Sequence, residues 1–297
     1  MKPVRIISRI DIKGPNLVKG IQFDGNRALG KAEDFAYLYY KEGSDELIFY
    51  DTVASLYQRN NLLEFVTAVS RHIFVPLTVA GGIRTIDDVQ HILRAGADKV
   101  AINTAAIHNK NLIAEAAKAF GSQCIVVGIE AKHRDEGWWE AWVDYGREPT
   151  GINVIEWAKE AVDLGAGEIL LTSIDFEGTG HGFDIELTAR IAREVSVPVI
   201  ASGGAGIKEH VENVIQHGRA DAVAVAGMFH YYYAQPLTRR YSASDEIGLR
   251  MGRQIDEGNV DFLNLRYGGL FEKRFKAISI TGLKGYLNSR GIRCRDL

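Results

Sequence analysis

The chain has 297 residues, of which 46% are hydrophobic, and its formal net charge is −3. This composition allows a large buried core and argues against a general nucleic-acid-binding protein. The two cysteines, Cys124 and Cys294, form no CxxC pair, which argues against a disulfide framework or a zinc site. The N-terminus lacks a signal-peptide pattern, and no apolar run approaches the ~20 residues that cross a membrane, so we expect a cytoplasmic protein without membrane contact.

Short apolar runs alternate with amphipathic stretches along most of the chain. The runs have the near-continuous apolar character of strands that are buried on both faces, and the stretches have helical spacing. Eight such strands at this length predict a closed (β/α)8 barrel, with a doubly wound sheet as the alternative. In chain order, the predicted strands cover residues 4–10, 46–51, 76–81, 99–103, 124–130, 168–173, 198–203 and 222–227.

The two halves of the chain also resemble each other. Residues 76–89 align with residues 198–211, and the same relation pairs Asp11 with Glu130. A repeat of about 120 residues indicates two half-barrels of four βα units each. A doubly wound sheet has no reason to repeat in this way, so the repeat favours the barrel.

Two carboxylates are predicted to face each other across the barrel mouth. Barrel enzymes place reactive groups at the carboxyl ends of the strands. Asp11 ends the first predicted strand and Glu130 ends the fifth, on the opposite side. A lone carboxylate would be explained as a solvated strand end, but a symmetric pair can act as general acid and general base. We therefore predict Asp11 and Glu130 as catalytic residues.

Glycine-rich turns follow the third and seventh strands at symmetric positions. Glycine lets backbone N–H groups approach a phosphate, and a helix N-terminus favours the anion. One Gly-Gly pair would be an ordinary tight turn, whereas two predict a ligand with a phosphate at each end. A basic loop, residues 13–30, could close over such a ligand, although its Lys19 and Arg27 could equally be solvated. Other predicted groups at the mouth are Asp51, Thr172, Ser173, Asp175 and Glu177.

Several segments together resemble the cyclase subunit of imidazole glycerol phosphate synthase, a lyase of histidine biosynthesis. The most specific are residues 77–84, 94–106, 120–127, 156–175 and 198–206, and the resemblance covers about 1–231 and resumes at 279–295. It implies a heterodimer with a glutaminase subunit at the N-terminal barrel face, and neither a metal nor a cofactor is expected. Ammonia would pass along the barrel axis and attack a bis-phosphorylated ribulosyl-formimino aminoimidazole carboxamide ribonucleotide. The products would be imidazole glycerol phosphate and aminoimidazole carboxamide ribonucleotide.

The resemblance also assigns roles to individual positions. Asp11 matches the first of the family's two catalytic aspartates. The phosphate-binding positions match Gly82, Asn103 and Thr104 on one side, and Gly204, Ala205, Ala226 and Gly227 on the other. The charged gate at the ammonia entrance matches Arg5, Glu46, Lys99 and Glu168. These four charges could also only plug the barrel bottom, although Val or Leu would fill that layer at lower cost.

The chain departs from the family at several positions of the mouth. Glu130 stands where the family has its second catalytic aspartate, and Glu177 replaces another aspartate beside Phe176. Arg9 replaces a cysteine, and Gly227 replaces a serine. An added methylene can move a carboxylate by ~1 Å, which can cost on the order of 100-fold in rate. Several such changes together suggest a re-shaped site, and another substrate is an open alternative.

The largest departure is an insertion. We predict a single barrel domain over residues 1–297 with residues 232–277 inserted after the eighth strand. The insertion is either a lid that offers Arg239, Arg240 or Arg253 to an anion, or a solvated appendage or oligomer contact.

Three functions remain open from the sequence, and a fourth ranks below them. The first is the ammonia-dependent cyclase. The second is a related barrel that delivers ammonia for acetamidino modification of a surface-polysaccharide sugar, and the retention of Asp11 favours the cyclase over it. The third is a non-catalytic regulator of a glutaminase, which the two carboxylates disfavour. A single-chain sugar isomerase would not need the charged gate and ranks last.

Overall fold

The computed structural model of the protein describes residues 2–52, 61–135, 137–238 and 275–295. Eight parallel strands close into a barrel, because the first pairs with the last and the fifth pairs with the sixth. The predicted (β/α)8 barrel is therefore confirmed. Strand labels follow chain order and include four hairpin strands, which are described in the next paragraph. The eight barrel strands are β1 (Arg5–Lys13), β4 (Glu46–Asp51), β5 (Leu77–Ala80), β6 (Lys99–Ile102), β7 (Ile125–Asp135), β10 (Glu168–Ser173), β11 (Val199–Ser202) and β12 (Ala222–Val225).

The first strand of each half continues past the barrel rim into an antiparallel hairpin. β1 leads into β2 (Asn16–Ile21) and β3 (Asp24–Lys31), and β7 leads into β8 (Trp138–Val143) and β9 (Glu148–Asn153). Both strands are therefore longer than predicted, and the predicted basic loop is largely β2 and β3. Glycines within that segment conceal the strand pattern, since glycine is depleted in strands. The paired hairpins repeat the two-fold relation seen in the sequence.

Each hairpin turns through residues with left-handed backbone. Gln22 and Phe23 have φ of 51° and 64°, and Asp144 and Tyr145 have φ of 52° and 60°. Consecutive positive φ values are typical of the tight turns that suit the twist of a β-hairpin, although a bulky residue there is strained. The turns place the Phe23 and Tyr145 rings together, with centroids 4.4 Å apart. Strain of this kind is commonly found at functional sites.

The helices cover the outside of the barrel. Their apolar faces bury Phe35 and Tyr39 from the first helix and Trp157 from the sixth against the outward side chains of the strands. Thr85 and Asp88 form a capping box that starts the third helix. The helices are α1 (Ala32–Lys41), α2 (Asn61–Ser70), α3 (Ile86–Arg94), α4 (Thr104–His108), α5 (Asn111–Phe120), α6 (Val154–Asp163), α7 (Ile185–Glu194), α8 (Lys208–Gln216), α9 (Gly227–Thr238) and α10 (Ile280–Ser289).

The last helix is held against the start of the chain. Lys284 of α10 donates to the buried Asp45 at 2.7 Å, and Val4 forms a parallel bridge with Cys294. Between α9 and α10, residues 239–274 lie outside the described residues, and the roles predicted for Arg239, Arg240 and Arg253 lie there too. Across the described ranges, no helix combines the length and apolar character needed to cross a membrane.

The inward side chains of the barrel form three layers. The bottom layer contains the predicted gate residues, and the top layer contains Arg9, Tyr50, Glu130, Thr172 and Ser202. Between these two layers lies a cluster of nine apolar residues, four of which are alanines: Ile7, Ile48, Ala80, Ala101, Val126, Leu170, Ile200, Ala222 and Ala224. A layer rich in alanine fills the axis less completely than one of leucine or valine.

Candidate active site

Asp11 is buried near the carboxyl end of β1 between two cations. Arg9 Nε donates to Asp11 Oδ1 at 2.8 Å, and Lys19 Nζ of β2 lies 3.8 Å from Oδ2. Burial alone would raise the pKa of the Asp11 carboxyl, but the adjacent Arg9 and Lys19 outweigh it and hold the pKa below its usual value. Asp11 is therefore a carboxylate near neutral pH.

Glu130, on the other side of the mouth, has a different environment. It accepts hydrogen bonds from Tyr50 Oη at 2.6 Å and from the Gly146 backbone N–H at 2.7 Å. Burial raises the pKa of Glu130 to about 7, because these two bonds only partly offset the loss of water. The two carboxylates therefore differ in proton affinity, as an acid–base pair requires.

Arg9 connects the two sides of the mouth. Its Nη1 donates to Thr172 Oγ1 at 3.2 Å and to Ser202 Oγ at 3.1 Å. Its guanidinium carbon lies 4.6 Å from the ring centroid of Tyr50, the residue that donates to Glu130. Arg9 Nη2 is buried and has no hydrogen-bond partner within the described part of the chain. The sequence identifies Arg9 only as a departure from the family. Its role could not be predicted, because Thr172, Ser202 and Tyr50 belong to three other strands.

The first hairpin is closed over the mouth. Lys19 forms a buried ion pair with Glu177, and the Phe23 backbone N–H donates to Glu177 Oε2 at 3.3 Å. The Gln22 N–H also donates to the Glu177 carbonyl oxygen at 2.9 Å. Tyr50, Phe23 and Tyr145 pack together above the carboxylates, and sequence reasoning missed all three. Of these three residues, only Tyr50 could have been found from the sequence, because it lies near the carboxyl end of β4 at a position that faces into the barrel.

The first glycine turn opens into a cavity of about 310 Å³. Asn103 donates through Nδ2 to the Trp142 carbonyl oxygen, and its buried Oδ1 has no partner among the described residues. The Thr104 hydroxyl accepts from the Asp144 N–H at 3.0 Å. Of the residues predicted for this side, Asp51, Gly82, Asn103 and Thr104 all line the cavity. A cavity of this size with glycine backbone and the start of α4 can receive a phosphate-sized anion.

The second glycine turn is nearly filled, with only about 20 Å³ of free space. Phe275, near the end of the predicted insertion, packs there so closely that a Cβ at Gly227 would lie 2.9 Å from its ring. The serine that the resemblance implies at position 227 would collide with this ring, which explains the glycine. The predicted residues that line this space are Lys19, Glu177, Gly204, Ala205, Ala226 and Gly227, while Thr172 lies beneath it as a partner of Arg9.

Gly204 is the most constrained residue of this turn, and we expect Gly204→Ala to destabilise the protein by more than roughly 3 kcal/mol. Its φ is +107°, and a Cβ there would overlap the carbonyl oxygen of Gly182. The matched control is Gly151→Ala, where φ is +73° but no atom lies within 4 Å of the added Cβ. The control should cost about 1 kcal/mol, from backbone strain alone. Chemical denaturation measures both, and equal losses would show that the overlap is relieved without cost.

The four predicted gate residues meet in a ring at the bottom of the barrel. Arg5 Nη1 lies 2.7 Å from Glu46 and 2.8 Å from Glu168, and Lys99 Nζ lies 3.1 Å and 3.0 Å from the same two acids. Each cation therefore bridges both anions, and the ring carries no net charge. Such mutual pairing offsets the cost of placing charges in a partly buried layer.

In the part of the chain that the structure describes, no group of three or more His, Cys, Asp or Glu side chains is arranged to hold a metal ion. Buried cations already neutralise Asp11, and the acids of the bottom ring are paired with Arg5 and Lys99.

Comparisons with known proteins agree with this architecture. Residues 5–234 match the model of the family described as "Histidine biosynthesis protein". A protein of Legionella pneumophila named "Imidazole glycerol phosphate synthase subunit HisF" is 56% identical over 206 residues, which cover 69% of this chain and 97% of that protein. The family match includes both carboxylate strands and both halves of the barrel. The chain therefore belongs to the histidine biosynthesis protein family and is a member of its imidazole glycerol phosphate synthase cyclase (HisF) group.

Proposed function

We propose that the chain is the cyclase subunit of a glutamine amidotransferase and uses ammonia that reaches its active face through the barrel. The substrate would be the bis-phosphorylated ribulosyl-formimino aminoimidazole carboxamide ribonucleotide. The products would be imidazole glycerol phosphate and aminoimidazole carboxamide ribonucleotide. The observation that carries the proposal is the order of layers along one axis: a neutral charged ring, an alanine-rich apolar layer, and then two carboxylates.

The axial layers suit a small uncharged nucleophile. An ammonium ion would lose its hydration in the apolar layer at high cost, whereas ammonia can cross it without an unpaired charge. The ring of Arg5, Glu46, Lys99 and Glu168 lies at the N-terminal face, where we propose that a glutaminase docks. This partner and the substrate would then lie at opposite ends of the barrel, so that ammonia does not pass through solvent.

The two carboxylates supply the proton transfers. The attacking nitrogen must lose a proton as the new C–N bond forms, and the departing amine must gain one as its bond breaks. Asp11 and Glu130 lie on opposite sides of the mouth and differ in proton affinity, so one can accept and the other can donate. The 310 Å³ cavity beside Asn103 and Thr104 would hold one phosphate. A second phosphate would fit at the second turn only after the Lys19–Glu177 pair and the Phe275 ring move apart.

The filling of that second turn favours a second candidate substrate. The same ammonia-delivering machinery could act on a compound with a phosphate-type group at one end, such as a nucleotide-linked sugar whose acetamido group is converted by ammonia to an acetamidino group with loss of water. Phe275 and Glu177 reduce the second space to about 20 Å³, which a compound with one anionic end would not need to enter. The retained Asp11 is the observation that keeps the cyclase reaction first. We propose a cytoplasmic location for either reaction, since both Cys124 and Cys294 are free thiols.

The decisive experiment is turnover of the bis-phosphorylated ribonucleotide by the purified chain. With ammonium salts at raised pH, where more free ammonia is present, we expect both products to form in equal amounts. Addition of a glutaminase subunit should allow glutamine to replace ammonium. Loss of substrate without release of aminoimidazole carboxamide ribonucleotide would contradict the cyclase reaction. Ammonia-dependent amidination of a nucleotide-linked acetamido sugar, without turnover of the ribonucleotide, would establish the second candidate instead.

A further inference from the structure

Arg9 is a buried cation at a position where the resemblance implies an uncharged cysteine. A buried guanidinium is costly unless it is paired and hydrogen-bonded. Arg9 meets that requirement at Nε through the Asp11 carboxylate at 2.8 Å, and at Nη1 through the Thr172 and Ser202 hydroxyls at 3.2 Å and 3.1 Å, while its Nη2 has no partner among the described residues. All of these groups belong to the layer that contains the two carboxylates. Replacement of a cysteine by a buried guanidinium in this layer therefore changes the electrostatic surroundings of the two carboxylates.

The charged groups around Asp11 favour its ionised form. Arg9 approaches from the same strand and Lys19 from the first hairpin. The buried His230 of α9 also faces Asp11, but burial lowers the pKa of His230 to about 3, so its ring is neutral near pH 7. Glu177 draws Lys19 partly away by its own ion pair. Arg9 is therefore the cation most fully committed to Asp11.

The surroundings of Glu130 have the opposite effect. None of the ion pairs formed by the described residues includes Glu130, and its hydrogen-bond donors are the neutral Tyr50 hydroxyl and the Gly146 N–H. Asp144 in the second hairpin adds a like charge that disfavours ionisation. Arg9 acts on Glu130 only at longer range, with its guanidinium over the Tyr50 ring. One cation thus stabilises the charge on one carboxylate of the pair and leaves the other largely unaided.

We propose that Arg9 is a positioning residue that commits Asp11 to the role of proton acceptor and leaves Glu130 as the proton donor. This assignment deepens the proposed function and rests on it only for the identity of the reacting nitrogen. The Asp11 carboxylate takes a proton from the attacking nitrogen, whose electron pair forms the new C–N bond. The Glu130 carboxyl gives its proton to the departing amine, which keeps the electron pair of the broken bond. Asp11 ends protonated and Glu130 ionised, and exchange with water restores both.

The test is a carboxyl NMR titration of the ligand-free protein, which needs no substrate. In the wild type, Glu130 should take up its proton near pH 7, whereas Asp11 should stay ionised to below its ordinary pKa. In Arg9→Cys the Asp11 midpoint should rise by about 1–3 pH units, since an adjacent opposite charge shifts a carboxyl by that amount. Arg9→Lys should keep most of the low value. The matched control is Ser202→Ala, which removes an Arg9 partner without changing charge and should leave the Asp11 midpoint nearly unmoved.

The titration tests both the positioning role of Arg9 and the assignment of Asp11 as proton acceptor and Glu130 as proton donor. An unmoved Asp11 midpoint in folded Arg9→Cys would overturn the positioning role. If Arg9→Cys does not fold, the wild type still decides, because protonation of Asp11 before Glu130 as the pH falls would contradict the assignment. In the activity assay, at constant free ammonia, the rate should fall as the pH rises through about 7 and Glu130 loses its proton. A protein with the expected titration but no cyclase turnover would reject the proposed function alone.

Discussion

Asp11→Asn should lower ammonia-dependent turnover by at least about 100-fold, the typical contribution of a positioned acid or base. The amide keeps the volume of the carboxylate and can still accept the hydrogen bond from Arg9 Nε, but it cannot take up a proton. The fold should survive, although Arg9 loses its counter-charge and some stability is lost with it. Steady-state kinetics with ammonium as the nitrogen source measures the effect, and circular dichroism checks the fold.

A matched control shows whether that loss is specific to the site. Asp88→Asn changes the same chemical group in the capping box of α3, on the outside of the barrel. It should lower the free energy of unfolding slightly and leave turnover nearly unchanged, because Asp88 bonds only to the backbone N–H groups of Arg84 and Thr85 and contacts neither Asp11 nor Glu130. Turnover of Asp11→Asn within threefold of the wild type would remove Asp11 from the mechanism.

Lys99→Ala should uncouple glutamine hydrolysis from product formation. Without Lys99, the Glu46 and Glu168 carboxylates face Arg5 alone, and the ring acquires a net negative charge. Uncompensated charge in a partly buried layer is costly, so we expect the ring to rearrange or admit water. Ammonia released by the glutaminase would then be lost or trapped as ammonium. Turnover driven by added ammonium should suffer less, because free ammonia can also reach the mouth from solvent.

The coupling is measured as product formed for each glutamine hydrolysed. Lys99→Arg is the control, because it restores the positive charge between the two acids. We expect this ratio to fall several-fold in Lys99→Ala and to recover in Lys99→Arg. Equal loss of the glutamine-driven and the ammonium-driven reactions would indicate damage to the fold instead of the gate. An unchanged ratio would mean that the ring does not control passage.

Much of this architecture could be predicted because it depends on periodicity. Apolar runs at regular intervals determine the barrel, and the internal repeat places Asp11 opposite Glu130 and brings the two glycine turns to one face. The bottom ring could be predicted only through the family resemblance, since nothing local marks Lys99 or Glu168 as partners. The structure brings all four gate residues within ion-pair distance.

The remainder of the site depends on contacts between segments far apart in the chain. Phe23 and Tyr145 meet because two hairpin turns adopt left-handed backbone, which bulky residues rarely adopt and no pattern predicts. Phe275, near the end of the predicted insertion, packs against Gly227, which is 48 positions earlier in the chain. The proton affinities of Asp11 and Glu130 depend on the burial and partners of each, so two similar residues at equivalent positions acquire different properties.

The two glycine turns differ in free volume, so the two ends of the binding site are not equivalent. A barrel of two like halves would accept a two-ended ligand in either of two orientations, related by rotation about its axis. Here one end meets a roomy cavity and the other meets Lys19, Glu177 and the Phe275 ring, so the two orientations are not equivalent. With Asp11 as the proposed proton acceptor and Glu130 as the proposed donor, a reversed ligand would also bring its attacked carbon to the wrong carboxylate. We therefore expect the divergence of the two halves to let the protein distinguish the two ends of its ligand before any bond changes.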